Sequence, residues 1–410
     1  MTAARSAVIV GAGIAGPVAA MALQKAGIDA VVYEARAGTA DGIGAFLTVA
    51  SNGLDALRTI SADGRVLDCG FPTPSITLRG SNGKHLGQTR TGWSLPDGTT
   101  SHTVKRSDLY RALHTEAARR GVEIEHSKRL TDVRETAQGI QASFADGSHA
   151  TSDVLIGCDG VHSTVRQLID PTAPTPDYLG LLSIGGYAAG VKVAIEPGSY
   201  EMIFGRRAFF GYALAPDQQV WWFANLPHRS EPTRAALDAI DREDRHRQLL
   251  DLFNDDSGPA HQLIQATPEL SPTSAIHALP HLPNWHTDQM IVIGDAAHAP
   301  SPTSGQGASL AIEDAVLLAK LLRDSPSPQT AFSRFQTERR PRVERVIKQA
   351  ARITSTKAAG PLGRTIRNAM MPTIMKIAAN ANDRSLKRTY GYHIDWDDHG
   401  ADARPPATPS

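Results

Sequence analysis

The segment Gly11-Ala12-Gly13-Ile14-Ala15-Gly16, read directly after the apolar run Ser6 to Val10, constrains this chain more than any other feature. A short buried strand that breaks into spaced glycines and re-forms as a helix, Ala15 to Lys25, is built to meet a dinucleotide. Gly11 makes the tight turn, Gly13 lets backbone approach a pyrophosphate, and Gly16 lets helix and strand touch. Ile14 and Ala15 open the helix, whose free N–H groups and positive dipole end favour an anion. A second apolar strand, Ala30 to Tyr33, completes a βαβ unit. Glu34 follows it, 18 residues beyond Gly16, at the separation where a carboxylate accepts hydrogen bonds from a ribose 2′-hydroxyl. Taken alone, the pattern does not separate NAD from FAD.

The rest of the composition narrows the class. At 410 residues the chain is long enough for two lobes or for one core carrying a large insertion. Lysine plus arginine balance aspartate plus glutamate at 42 each, so no global field recruits nucleic acid. Two cysteines, Cys69 and Cys158, make no disulfide framework and lack metal-type spacing, which points to a reducing compartment, the cytoplasm. The uncharged run Ala7 to Leu23 after Arg5 imitates a secretory signal, but the glycines and Pro17 inside it fit the nucleotide turn better. No other apolar run reaches the ~20 residues needed to span a bilayer.

Along the chain the pattern predicts an α/β protein: a Rossmann-like domain interrupted by an antiparallel β-sheet domain and followed by C-terminal helices. Helical spacing covers Leu54 to Ile60 and Ser107 to Arg120, with Ser107 as the expected N-cap and Arg106 just ahead of it. Strands are expected at Val122 to Ile124, Leu130 to Glu135, Gly139 to Phe144 and Val154 to Ile156, the middle pair turning near Gln138. From Tyr178 to Leu226 glycines alternate with aromatic and aliphatic residues, the signature of an antiparallel sheet. A helical stretch is expected at Arg234 to Phe253, a buried strand at Met290 to Ile293 and a helix at Ala308 to Leu322. The expected partition is 1–70, 104–175 and 286–330 for the nucleotide-binding domain, 71–103 for a β-ribbon contributing to the second domain, and 176–285 for that domain itself. Helices over 331–395 and a flexible tail over 396–410 complete it.

Two further loops matter: GCDGVHSTVR, carrying Asp159 and Gly160 after a strand, and GDAAH, carrying Asp295 after another. Together with GAGIAG, VKRSDLYRAL at Val104 to Leu113 and GQGASLAIEDA at Gly305 to Ala315, they run in order over nearly the whole chain. In this the chain resembles the group A, single-component FAD-dependent monooxygenases, the aromatic-ring hydroxylases of the p-hydroxybenzoate hydroxylase fold. The resemblance implies FAD held tightly but non-covalently, with NADPH or NADH as a transient reductant. It implies Glu34 at the adenosine ribose, Arg36 near the adenine or its phosphate, Arg106 at the pyrophosphate or ribityl chain, and Asp295 at the ribityl hydroxyls. Asp159 belongs to a loop serving both FAD and the nicotinamide donor. Pro302 and the Gly305-Gln306-Gly307 turn match the segment beside the flavin's reacting edge, where the N-terminus of the helix at Ala308 can face the ring that carries negative charge in reduced flavin. Ser301 and Ser309 depart from the proline and asparagine common among relatives.

The implied chemistry is reduction of FAD by NAD(P)H, addition of O₂ at flavin C4a to give a hydroperoxide, and transfer of one oxygen to a small hydrophobic aromatic, polyketide or terpenoid substrate by hydroxylation or epoxidation. For the water-excluding pocket the second domain offers Phe204, Phe209, Phe210, Tyr212, Trp221, Trp222 and Phe223, of which Phe210, Tyr212 and Trp222 are expected to touch substrate. No second dinucleotide fingerprint exists, which removes disulfide reductases and Baeyer–Villiger enzymes, and the halogenase WxWxIP segment is absent. A reductase or oxidase of the same fold is the alternative, and a binding module without catalysis ranks last because PTSGQG is intact. His298 is expected to make a structural hydrogen bond. The 14 lysines and arginines against 3 acids between Ala331 and Tyr390 are expected on a solvated helix that Pro341 interrupts, covering the nucleotide-binding domain and salt-bridged to acidic partners elsewhere. No nucleic-acid partner or integral membrane association is expected. Substrate identity, any catalytic base and oligomeric state stay open.

Overall fold

The computed structural model describes residues 3–38, 44–137, 139–357 and 383–399. Its centre is a five-stranded parallel sheet in the order Met290–Val292, Val154–Gly157, Ser6–Val10, Asp29–Tyr33, Glu123–Glu125. Strands Met290–Val292, Val154–Gly157 and Ser6–Val10 are almost wholly buried, which explains their unbroken apolar sequence, since a parallel sheet is covered on both faces. Helix Ala15–Lys25 packs against this sheet and against the long helix Gly307–Asp324. The antiparallel strands Leu130–Thr136, Gly139–Phe144 and His149–Ser152 add a further layer, where Phe144 stacks on Tyr33 with ring centroids 4.6 Å apart.

The second sheet has seven strands, in the order Ser274–Ala278, Asp177–Ala188, Val220–Pro227, Phe209–Leu214, Tyr200–Phe204, Ser75–Gly80, His85–Arg90. Four of its strands lie between residues 177 and 227, and the ribbon Ser75–Arg90 joins their edge. It differs from the expected all-antiparallel sheet at one seam, where Tyr200–Phe204 runs parallel to Ser75–Gly80. The ribbon arrives through a long excursion, so no tight hairpin dictates antiparallel pairing. A small sheet of Phe46–Val49, His102–Lys105 and Gly70–Pro72 joins the two lobes.

Three local expectations are corrected. Helix Arg106–Arg119 starts one residue early, capped by the Lys105 backbone without a side-chain cap, so Ser107 is inside it. The stretch after Thr233 is two helices, Arg234–Asp238 and Arg242–Phe253, because Asp241 accepts a 2.8 Å bond from Asp244 N and starts the second as its N-cap. Helix Pro328–Lys357 runs straight through Pro341. The proline removes one backbone bond at a cost of about 3 kcal/mol. Arg339 and Arg342, which flank it, are fastened to the neighbouring helix and offset that loss. Among the described residues no helix is long and apolar enough to cross a membrane. The expected tail lies mostly outside the described residues.

Candidate active site

Because the central strands are parallel and in register, their carboxyl ends bring distant loops together. Val10 pairs with Gly157 and with Tyr33, and Gly157 pairs with Val292. The ladder continues one residue further: Gly11 N donates to Tyr33 O at 2.8 Å, Cys158 N to Val10 O at 2.7 Å and Ile293 N to Gly157 O at 3.0 Å. The turns at Gly11, Asp159 and Asp295 therefore stand side by side at the sheet edge where open α/β proteins bind ligands.

The glycine turn is tightly built. Gly11 has φ +101°, and a Cβ there would lie 2.5 Å from Cys158 O. A Cβ on Gly16 would lie 2.0 Å from Gly11 O, whereas one on Gly13 would meet nothing within 4 Å. Gly13 thus presents an open backbone, and helix Ala15–Lys25 begins behind Ile14 with no side-chain cap, leaving its first N–H groups for an outside acceptor. Glu34 is half-buried and accepts from Ala12 N at 2.8 Å and Arg36 N at 2.9 Å, so its carboxylate joins the turn to the next loop. The Arg36 side chain is exposed. His114 donates Nε2–H to Ala12 O at 2.7 Å and holds the same turn from helix Arg106–Arg119, a role with no signal in the sequence.

Asp159 and Asp295 diverge. Asp159 turns inward on its own loop, accepting from Ser163 Oγ at 2.5 Å, Thr164 N at 2.7 Å and Val165 N at 3.0 Å. Burial raises its carboxyl and those bonds oppose the rise. The loop is then tied to its neighbour by the buried Arg166, whose guanidinium donates to Ala296 O at 3.0 Å and Val161 O at 2.8 Å. Asp295 is exposed to solvent. Desolvation by the surrounding protein pushes its carboxyl upward while His298 and Arg106 pull it back. Arg106 sits near it, half-buried, its Nε 3.2 Å from Tyr110 Oη and its backbone N bound to Ala45 O at 3.1 Å.

Beyond Asp295, Pro302–Ser304 forms a 3₁₀ turn, Gly305 adopts φ +59°, and Gly307 and Ala308 begin helix Gly307–Asp324. Pro302 and Gly305 are exposed, but Gln306 is buried. Its amide oxygen accepts from Asn52 Nδ2 at 3.0 Å and its backbone N donates to Ser304 Oγ at 3.0 Å, so the side chain braces the turn from behind. Ser309 accepts from Ala50 N at 2.9 Å in tight contact with Gly53.

Behind these turns lies a fully buried ionic cluster. Asp314 accepts from Gly294 N at 2.8 Å, pairs with His298 Nε2 at 2.6 Å and with Arg339 Nε at 2.7 Å. Glu313 pairs with Arg339 Nη1 at 2.7 Å and Arg342 Nη2 at 2.6 Å, and accepts from Asn52 at 2.6 Å. Burial opposes ionisation of Asp314, but His298 and Arg339 override it and hold the carboxyl below its ordinary range. His298 is structural, as expected. The C-terminal helix is ion-paired to acids elsewhere, as expected, but it sinks Arg339 and Arg342 into the core instead of leaving them solvated, because two buried acids require compensating charge.

The seven-stranded sheet presents two different faces. Phe210, Tyr212 and Trp222, expected at substrate, lie on the face covered by helices Arg242–Phe253 and Ala260–Gln265. Phe210 meets Phe253 at 5.2 Å and Trp222 at 5.3 Å, Trp222 Nε1 donates to Thr267 Oγ1 at 2.7 Å, and Tyr212 Oη donates to Glu201 at 2.6 Å. These are core residues, and the structure does not bring them to the groove. The opposite face carries Tyr200, Ala213 and Trp221 with the half-buried Phe46, Tyr187, Met202 and Phe223. It adjoins the groove at Ala45, whose carbonyl accepts from Tyr187 Oη at 2.5 Å as well as from Arg106 N. Phe46 comes from a segment that carried no strand expectation, and Tyr187 from the expected sheet region but with no expected role.

Comparison with known proteins agrees with this architecture. The model of a family described as "FAD binding domain" matches residues 5–350. The chain is 28% identical to the aurachin C monooxygenase/isomerase of Stigmatella aurantiaca over 84% of this chain and 88% of that protein. It is 29% identical to the FAD-dependent urate hydroxylase of Klebsiella pneumoniae over the same shares. The structure of Klebsiella pneumoniae HpxO complexed with FAD and uric acid superposes with a TM-score of 0.79 at 25% identity, covering 94% of this chain and 96% of that one. The chain belongs to the FAD-binding-domain family, among the single-component FAD-dependent monooxygenases with a p-hydroxybenzoate hydroxylase-like fold.

Proposed function

We propose that the groove along the carboxyl ends of the parallel strands holds FAD extended, and that the half-buried aromatic face beyond Ala45 holds the molecule to be oxygenated. The observation that carries this is the register of the parallel sheet, which lines up the Gly11, Asp159 and Asp295 turns beside that face. The residues fit the cofactor. Glu34 would accept from the adenosine ribose, with Arg36 at the adenine side. Gly11, Gly13, Ile14, Ala15 and Gly16 would give the pyrophosphate an open turn and a helix N-terminus. Asp295 accepts no hydrogen bond from any described residue, and an exposed acceptor-only carboxylate suits the ribityl hydroxyls. Arg106 would neutralise phosphate or fasten the chain between them. Asp159 would act by shaping its loop.

Bound FAD, reduced by NADPH or NADH, supplies the activation of O₂. The protein's part is to bind, orient and exclude water. Pro302, Gly305, Gly307 and Ala308 would face the flavin's reacting edge, with the first N–H groups of helix Gly307–Asp324 stabilising negative charge there. Gln306 would hold that turn through Asn52. Phe46, Tyr187, Met202, Trp221 and Phe223 would wall off water and seat a small aromatic or heteroaromatic ring, in place of Phe210, Tyr212 and Trp222. Purified protein should be yellow and should oxidise NAD(P)H in the presence of a matching aromatic. Under ¹⁸O₂ the product should gain one labelled oxygen. Product lacking the label, with flavin turnover intact, would assign the reductase or oxidase chemistry instead.

A further inference from the structure

We propose that Lys105 makes the aromatic face selective for an organic anion: an aromatic ring bearing a carboxylate or an acidic ring hydroxyl. The inference deepens the reading above, since it names the class of molecule that the face accepts. Lys105 ends strand His102–Lys105 and is paired across it with Phe46. Its ammonium lies 4.7 Å from the ring centroid of Tyr187 and 5.1 Å from that of Trp221. Phe46 closes the same space, 6.0 Å from Trp221, 5.8 Å from Tyr200 and 5.8 Å from Phe223. A half-buried cation has thus been placed over the floor of a half-open aromatic surface.

Nothing on that surface satisfies the cation fully. Among the described residues Lys105 has no carboxylate within ion-pair distance and no hydrogen-bond acceptor. Two ring faces contribute only about 0.5–2 kcal/mol each, while the three N–H donors of an ammonium call for oxygen acceptors. The covered face of the same sheet shows the contrast. There Arg79 meets Glu201 at 2.7 Å, and Tyr212 closes the remaining oxygen of that carboxylate. On the open face no described side chain takes Glu201's place. A flat anion seated against the half-buried Tyr187 and Phe223 would supply both the apolar contact and the missing acceptor. A neutral ring of the same shape would supply only the first. Arg106, next in sequence, adds positive potential of the same sign, and Asp108, a turn further on, is the described carboxylate that acts on Tyr187.

The test uses the FAD-loaded full chain and two probes of equal shape, 2-naphthoate and 2-naphthamide. Binding is read by calorimetry and by quenching of tryptophan fluorescence, without turnover. Wild-type protein should bind the naphthoate at least about tenfold more tightly, the size of one charged hydrogen bond. Lys105→Met should erase that preference while leaving naphthamide affinity within about twofold, and Lys105→Arg should restore most of it. Equal wild-type affinity for the two probes, binding of neither, or a preference that survives Lys105→Met would overturn the proposal. Failure of the monooxygenase reading looks different: the anion preference would persist while no labelled oxygen enters any product.

Discussion

Nε2 of His298 donates to Oδ2 of Asp314, the same oxygen that receives the Gly294 backbone N–H. A single carboxylate on helix Gly307–Asp324 thereby clamps both ends of the turn that presents Asp295. Because Arg339 occupies the other oxygen, the Asp295 turn and the C-terminal helix share one anchor.

Breaking that anchor should unfold the protein readily. Asp314→Asn leaves Arg339 buried beside a single acid, and removing one partner of a buried pair costs about 3–5 kcal/mol. Urea denaturation at neutral pH should show the loss. The pH dependence has a definite sign. Asp314 is held below the ordinary carboxylate range, so its contribution is fully present above the unfolded value of about 3.9 and is lost as the pH falls through the folded one. The variant should therefore show a flatter acid limb than wild type. An unchanged midpoint and acid limb would remove Asp314 from this role.

Asp295 behaves oppositely, because it is exposed and accepts no hydrogen bond from any described residue. Asp295→Ala should weaken FAD retention about tenfold or more, for the lost charged hydrogen bonds, with the melting temperature of the apoprotein unchanged. Flavin fluorescence on titration of apoprotein measures the first and calorimetry the second. Wild-type flavin affinity in the variant would contradict the assignment.

The glycine turn tolerates no side chain at its crossing point. In Gly16→Ala the new Cβ would start 2.0 Å from Gly11 O, so backbone must move. We expect a loss of about 1–3 kcal/mol together with loss of bound flavin, seen as colourless protein after gel filtration. A yellow, fully stable Gly16→Ala protein would show that the turn has slack.

The two faces of the second sheet can be separated by mutation. Phe210→Ala should cost about 3–5 kcal/mol of stability and leave substrate KM close to wild type. Phe223→Ala, at a half-buried ring on the other face, should raise KM with a smaller loss of stability. A reversal of the two patterns would place the substrate under the helices.

How much of this was legible in the sequence depends on how far each feature's causes reach along the chain. The glycine turn, Glu34 and the buried strands are decided locally. Glycine spacing, apolar runs and a helix N-terminus act within about thirty residues, so Gly11, Gly13, Gly16 and Glu34 could be read directly. The family resemblance rested on the same short loops, and the parallel register then aligned them. The aromatic strands were legible too, but their orientation was not. Alternation with a period of two says that Trp221 and Trp222 point to opposite faces, and only the packing of Phe253 and Thr267 decides which face is closed. In the same way Arg339 and Arg342 read as part of a charged surface until Glu313 and Asp314 meet them from another helix. Asp159 could have pointed to a ligand or to its own loop, and three donors from that loop took it. The chain's own order thus determined the loops and the kind of cofactor they suit. Tertiary structure alone decided which side chains of each pattern are spent on the core and which are left facing the groove, because burial and charge pairing depend on partners distant in sequence.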